Sequence, residues 1–121
     1  MDTPKIFDSE YRLCLIVWET EPVNSTELVR LSRERLGWSK ATTYTVLRRL
    51  CERGVLKNES ATVTSLVSKQ EAQSARMEEL MDRAFEGSLP AFVAAFARHR
   101  GVTKKELEDI RRLIDEFEEE G

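Results

Sequence analysis

Cysteine, histidine, glycine, proline and aromatic side chains are all scarce in this 121-residue chain, and each scarcity removes a class of function. The two cysteines, Cys14 and Cys51, both fall on apolar faces of expected helices. Two buried thiols are the default there: a disulfide is disfavoured in a reducing compartment, and neither has a second thiol at metal-ligand spacing. The single histidine, His99, lies between Arg98 and Arg100 at an expected helix end, where a cation suits the helix dipole. A Cys–His pair would need an exposed cysteine. No glycine-rich phosphate loop or carboxylate constellation is present either, so neither enzyme activity, a metal site nor a cofactor is expected. No apolar run approaches the roughly 20 residues that span a bilayer. The start, MDTPKIFDSEYR, lacks the basic patch and apolar stretch of a signal peptide. A cytoplasmic location without membrane insertion is expected.

What the chain does have is charge, 34% of its residues, unevenly placed. The net charge of −3 by itself disfavours a polyanionic partner. Residues 1–68 hold 10 Lys and Arg against 9 Asp and Glu, a net of +1, and residues 69–121 hold 9 against 13, a net of −4. Between positions 33 and 57 the count is 7 against 2, a net of +5. Affinity for a polyanion follows the local field at the contact surface, so the acidic total does not exclude DNA.

Helical spacing of Tyr11, Cys14, Leu15 and Trp18 predicts a first helix over 8–19, ended by Pro22. Asn24 with Glu27 reads as a capping box opening a second helix to about Arg35, with Leu28 and Leu31 inward. Gly37 breaks that helix and Ser39 caps a third, which gives the tight Gly-containing turn of a helix-turn-helix. The third helix lies in Trp38–Leu56, WSKATTYTVLRRLCERGVL, and Gly54 closes it. At 100° per residue, Thr43, Val46, Leu47 and Leu50 fall on one side, and Ala41, Thr42, Thr45, Arg48 and Arg49 on the other. Small side chains near the helix start let it approach base edges, and arginines further along meet bases or phosphates. A merely solvated helix would carry more Glu and Lys.

Val55–Lys57 and Ala61–Val67 read as two strands around a turn at Asn58–Ser60, a small wing whose Lys57, Asn58 and Ser60 could meet phosphates or serve only as turn residues. A second part begins at Ser68. Ser68 with Glu71, Ser88 with Pro90, and Thr103 with Glu106 open three more helices. Met77, Leu80, Met81, Ala84 and Phe85 share a face of the fourth, and Leu89, Phe92, Val93 and Phe96 a face of the fifth. Leu107, Ile110, Ile114 and Phe117 form an a/d seam on the sixth. Some 50 residues in three short helices make a meagre core, so a homodimer is expected, with packing on residues 1–68 as the rival. The fold class is therefore mostly α with a small β wing: a winged helix-turn-helix DNA-binding domain at 1–68 and a three-helix dimerisation domain at 69–121.

This order of elements, with WSKATTYTVLRRLCERG and GSLPAFVAAFARHRGVTKKELEDIRRLIDE, resembles the penicillinase-repressor family of bacterial winged-helix regulators, the BlaI/MecI/CopY group. The resemblance spans nearly the whole chain, and of its three motifs, W-S-x-x-T-x-x-T, G-S-L and the final E-L-x-x-I-R-x-L-I-D, unrelated winged helices lack the last two. It implies a transcriptional repressor that binds a palindromic operator in double-stranded DNA as a homodimer joined by its C-terminal helices. By position it assigns DNA contacts to Ser39, Ala41, Thr42, Tyr44, Thr45 and Arg48 or Arg49, with Arg48 and Arg49 read here as phosphate clamps. Ala41 stands where the family usually has lysine, and Lys40 where proline is common. Lys40 is then assigned to a phosphate and Ala41 to a thymine methyl, and the family's common TGTA-type half-site is not assumed for this chain. In the β-lactam branch a membrane-bound sensor metalloprotease cuts an Asn-Phe bond. The matching bond here is Ala95–Phe96, which keeps the Phe without the Asn. The ending DEFEEEG has none of the copper branch's cysteines, which excludes that form of copper sensing. The alternative function is a winged-helix module that binds protein, for which Tyr44 is the one suitable anchor on a face otherwise rich in Arg and Thr.

Overall fold

Side-chain caps start five of the six helices at the residues the sequence marks for the purpose. The computed structural model describes residues 3–120. It contains α1 (Asp8–Thr20), β1 (Val23–Asn24), α2 (Ser25–Leu36), α3 (Lys40–Glu52), β2 (Leu56–Glu59), β3 (Thr62–Ser65), α4 (Lys69–Phe85), α5 (Leu89–Arg100) and α6 (Lys104–Glu120). Asn24, Ser39 and Ser88 each accept a backbone N–H of the following turn at 2.9–3.2 Å. Ser68 with Glu71 and Thr103 with Glu106 form reciprocal capping boxes at 3.0–3.1 Å. The box expected of Asn24 and Glu27 is not formed. The Glu27 carboxylate turns along α2 to Arg30 instead, an ion pair whose range is local and whose geometry a helix face provides.

The core lies among α1, α2, α3 and the sheet. Leu28 and Leu31 of α2, and Thr43, Val46, Leu47 and Leu50 of α3, are buried as the periodicity predicts. On α1 the buried set is Leu13, Cys14, Ile16 and Val17, while Leu15 is exposed. The reason is that α1 packs on α2 and α3 on one side and on β3 on another, so a single stripe does not describe it. Burying each such aliphatic side chain contributes about 1.5–3 kcal/mol.

The sheet is antiparallel with strand order β1-β3-β2. Its edge strand β1 is two residues long and pairs Val23 with Val63. The hairpin turn is Ser60–Ala61, one to two residues later than expected, and Asn58 is a strand residue opposite Val63. Both turn residues have left-handed backbone, with φ of 51° and 64°. Two-residue hairpin loops of this kind favour Asn-Gly, because a Cβ crowds the left-handed conformation. The double substitution Ser60→Asn, Ala61→Gly is accordingly expected to stabilise the fold by about 1 kcal/mol, read as a higher urea midpoint at unchanged slope.

Glu10 and Arg53 join α1 to the C-terminal end of α3. Glu10 is 4% exposed, accepts the Phe7 N–H at 2.9 Å and pairs with the Arg53 guanidinium. Arg53 also donates to the Lys5 carbonyl at 2.8 Å and lies over the Phe7 ring. Arg53→Met would leave a buried carboxylate with one backbone partner, for an expected cost of about 2–3 kcal/mol. Adding Glu10→Gln should recover part of that loss; equal losses in the single and double variants would contradict the coupling.

The compact units divide inside α4, one ending at Met77 and the next starting at Glu78, rather than at Ser68. The first turns of α4 belong with the N-terminal unit because Ala72 is buried in its core. Arg76 there donates to the Ile6 carbonyl at 3.2 Å and to Asp8 at 2.6 Å, and stacks on Tyr11. The second unit has a small aromatic cluster of Phe85, Phe92 and Phe96. No residue of α5 or α6 is buried.

Candidate nucleic-acid interface

Helices α2 and α3 and the three residues between them form a helix-turn-helix. Gly37 makes the turn with φ of 72°, a conformation that an L side chain strains, and its N–H closes α2 on the Arg33 carbonyl at 3.1 Å. Ser39 then starts α3. Its hydroxyl accepts the Thr42 N–H and donates to the Thr42 hydroxyl oxygen, both at 3.1 Å. Thr43 points the other way, with its hydroxyl on the Ser39 carbonyl at 3.0 Å.

The outer face of α3 carries Ala41, Thr42, Arg48 and Arg49, all exposed, with Lys40 exposed at its start and Thr45 half-buried along its edge. The cations here differ from several of those elsewhere in the unit, although Arg12, Arg33 and Lys69 likewise form no ion pair among the described residues. Arg30, Arg35, Arg53 and Arg76 are each held by a carboxylate. Among the described residues, Lys40, Arg48 and Arg49 form no ion pair and keep their charge available to a ligand. Small hydroxyl and methyl groups at the helix start, followed by two unpaired guanidiniums on one face, suit a groove edged by phosphates.

Two candidates sit differently from the rest. Tyr44 is half-buried and packs against the core, and its hydroxyl donates to Ser25 Oγ of α2 at 3.4 Å. It braces the two helices of the motif. Lys57, on β2, faces solvent but its ammonium is 3.1 Å from Glu59 of the same strand. The wing is also tied back: Ser25 N–H donates to the Ala61 carbonyl at 2.8 Å, and the Glu21 carboxylate accepts both the Ser65 N–H and hydroxyl. Trp18 donates its indole N–H to the Val67 carbonyl at 2.9 Å and anchors the strand exit.

The thiols stay away from this face. Cys14 is fully buried, and desolvation, with Glu10 nearby, pushes its thiol up to about 12; Cys51 is half-buried and its thiol is also raised, chiefly by desolvation. Thiols so shifted are poor nucleophiles and ligands at neutral pH. Among the described residues, no helix is long and apolar enough to cross a membrane.

The chain is similar to known proteins in sequence and in fold. The chain is 20% identical over 117 residues to the penicillinase repressor of Bacillus licheniformis, covering 93% of this chain and 91% of that protein. It is 31% identical over 87 residues, 65% of this chain and 60% of the relative, to an uncharacterised 16.5 kDa protein encoded in the ptsI 3′ region of Latilactobacillus sakei. Among solved structures it matches the DNA-binding domain of the repressor BlaI, with a TM-score of 0.50, 25% identity, and coverage of 59% of this chain and 93% of that one. It also matches the monomeric form of Bacillus licheniformis BlaI in complex with the blaP half-operator, with a TM-score of 0.52 at the same identity and coverage. The fold is thus the winged helix. The sequence profile described as penicillinase repressor matches residues 6–116, nearly the whole length, and the chain belongs to the penicillinase repressor family.

Proposed function

We propose that this protein is a transcriptional repressor that binds a palindromic operator in double-stranded DNA as a homodimer, with α3 as its recognition helix and with no enzymatic activity. The observation that carries the reading is the exposed face of α3, small and hydroxyl-bearing at its start and followed by two unpaired arginines. A BlaI structure of the same fold holds a half-operator, which supports the same role for this chain. In this reading Thr42 and Thr45 donate to bases or phosphates, Ala41 offers a methyl to thymine, and Ser39, Lys40, Arg48 and Arg49 fix the helix on the backbone. Tyr44 acts indirectly, by holding α3 against α2. Lys57 contributes little, because Glu59 already takes its charge.

A two-fold axis would set half-sites about one helical turn apart and bring two recognition helices to successive major grooves. The apolar faces of α5 and α6 support the dimer. Leu89, Val93, Phe96, Leu107, Ile110, Ile114 and Phe117 are exposed in the single chain, with Phe92 half-buried beside them. Induction by a membrane-bound sensor metalloprotease belongs to this reading at the Ala95–Phe96 bond. That bond lies inside α5, so cleavage there requires local unwinding of the helix.

Thr42→Ala with Thr45→Ala tests the reading against a protein-binding role. Both side chains lie outside the core, so the melting temperature should hold while affinity for each half-site falls by at least about thirtyfold, from two lost base contacts at about 1–3 kcal/mol each. Unchanged DNA affinity in a folded variant would favour the protein-interaction alternative.

A further inference from the structure

We infer that Arg76 is a positioning residue for operator recognition: it fixes the direction in which α4 leaves the N-terminal unit, and so sets the half-site spacing that a dimer can bridge. That role rests on the homodimer proposed above. Only Leu66, Val67 and Ser68 separate β3 from the first residue of α4. Two attachments then hold the helix. Just before its start, the buried Val67 accepts the Trp18 indole N–H on its carbonyl at 2.9 Å. At the end of its second turn, Arg76 donates to the Ile6 carbonyl at 3.2 Å and to the Asp8 carboxylate at 2.6 Å. The same guanidinium lies over the Tyr11 ring, 4.5 Å from its centre. Tyr11 packs edge-on against Trp18 at 5.6 Å, so one row of α1 side chains serves both attachments.

A helix held at one point swivels, whereas a helix held at two has a fixed axis. The start of α4 and Arg76 lie about 10 Å apart at 1.5 Å per residue. Between them sits Ala72, the one buried residue of α4 among those described. Past Ala72 the axis therefore depends on Arg76. An exposed ion pair with Asp8 would be too weak for this by itself. The clamp comes from a carbonyl, a carboxylate and a ring face converging on one rigid guanidinium. The lever is sensitive. From Ala72 to Phe85 the helix runs about 20 Å, so a tilt of about 10° about Ala72 moves its far end by about 3.4 Å. That displacement equals the rise of one base pair, about 3.4 Å. One base pair also turns a half-site by about 35°, so bridging an altered spacing needs an α4 free to turn as well as to tilt. None of the Arg76 partners lies on α3, so recognition of a single half-site should not depend on the clamp.

Titration of the full-length protein against palindromes of varied spacing reads this directly, with the half-sites moved together or apart by one and two base pairs and an isolated half-site as reference. The unsubstituted protein should show one optimal spacing and lose at least about tenfold in affinity for each base pair away from it. Arg76→Ala should bind the half-site as before and the optimal palindrome about tenfold more weakly. Its affinities for the altered spacings should fall within about threefold of that value. Asp8→Lys, at a side chain that is 90% exposed, should shift the preferences the same way and keeps the test open if Arg76→Ala does not fold. Undiminished spacing discrimination in the folded variants, beside an unsubstituted protein with a clear optimum, would overturn the role of Arg76 and leave the dimer standing. An equal fall in half-site and palindrome affinity would make Arg76 a stabilising residue only, and would overturn it as well. An unsubstituted protein indifferent to spacing would contradict the dimer itself, and the role of Arg76 would fall with it.

Discussion

Leu107→Asp should convert the protein to a monomer and lower its affinity for a full palindromic operator by about 10² to 10⁴, while its affinity for an isolated half-site stays the same. The magnitude is the avidity that two linked recognition helices provide over one. The cause is local. A carboxylate in the middle of an apolar seam loses hydration on pairing and finds no partner, a cost that a short helix interface does not overcome. The N-terminal unit should keep its stability, because Leu107 is exposed in the single chain and lies outside the core. Sedimentation velocity together with titration of full and half operators measures all three quantities. A Leu107→Asp protein that still sediments as a dimer would place the interface elsewhere. One that is monomeric yet binds the full operator as before would remove the two-fold model of recognition.

Replacing Arg48 and Arg49 by alanine should weaken binding to every DNA sequence alike and flatten its salt dependence. Each phosphate contact contributes about 0.9 to the slope of log affinity against log salt concentration. Two arginines in each of two subunits therefore account for a slope of about 3 to 4, which at 0.1 M salt is a loss on the order of 10³ in affinity. Among the described residues neither side chain forms an ion pair, so the substitutions should leave the thermal stability of the folded chain within about 0.5 kcal/mol. Loss of affinity for one sequence only would mean that the arginines read bases. An unchanged slope would mean that they do not meet phosphates at all.

What the sequence makes legible here is what depends on neighbours three or four residues away. Ser39, Ser68, Ser88 and Thr103 cap the helices as expected because cap and target lie on one turn. The inward row of α3, from Thr43 to Leu50, is likewise set by helical period alone. Contacts that close over long separations are not legible in this way. The two-residue strand β1 exists only because Val23 meets Val63, and the Glu10–Arg53 pair spans 43 positions. Leu15 shares the helical spacing of Cys14 yet is exposed, because α1 packs against α2, α3 and β3 and one apolar stripe does not describe its buried surface. The wing turn shifted because Ser60 and Ala61 adopt left-handed backbone without the glycine that would have announced it.

The candidate site was legible to a similar depth. Period and composition placed Ala41, Thr42, Arg48 and Arg49 outward together, and they are exposed together. They did not predict that Tyr44 would brace Ser25, nor that Glu59 would hold Lys57. Both depend on which neighbouring element comes within reach, and only Glu59, two residues along a strand and so on the same face as Lys57, carried a sequence signal that could have been read.

The most direct test of the central claim is a gel shift of the purified protein on the DNA upstream of its own gene, with a shuffled duplex as competitor, at two salt concentrations. The expected result is specific retention that survives the shuffled competitor, scales with dimer concentration and weakens steeply between the two salts. Equal retention of specific and shuffled duplex, or none at the lower salt, followed by the absence of any enriched site in a genome-wide pull-down, would contradict a repressor that reads DNA through α3.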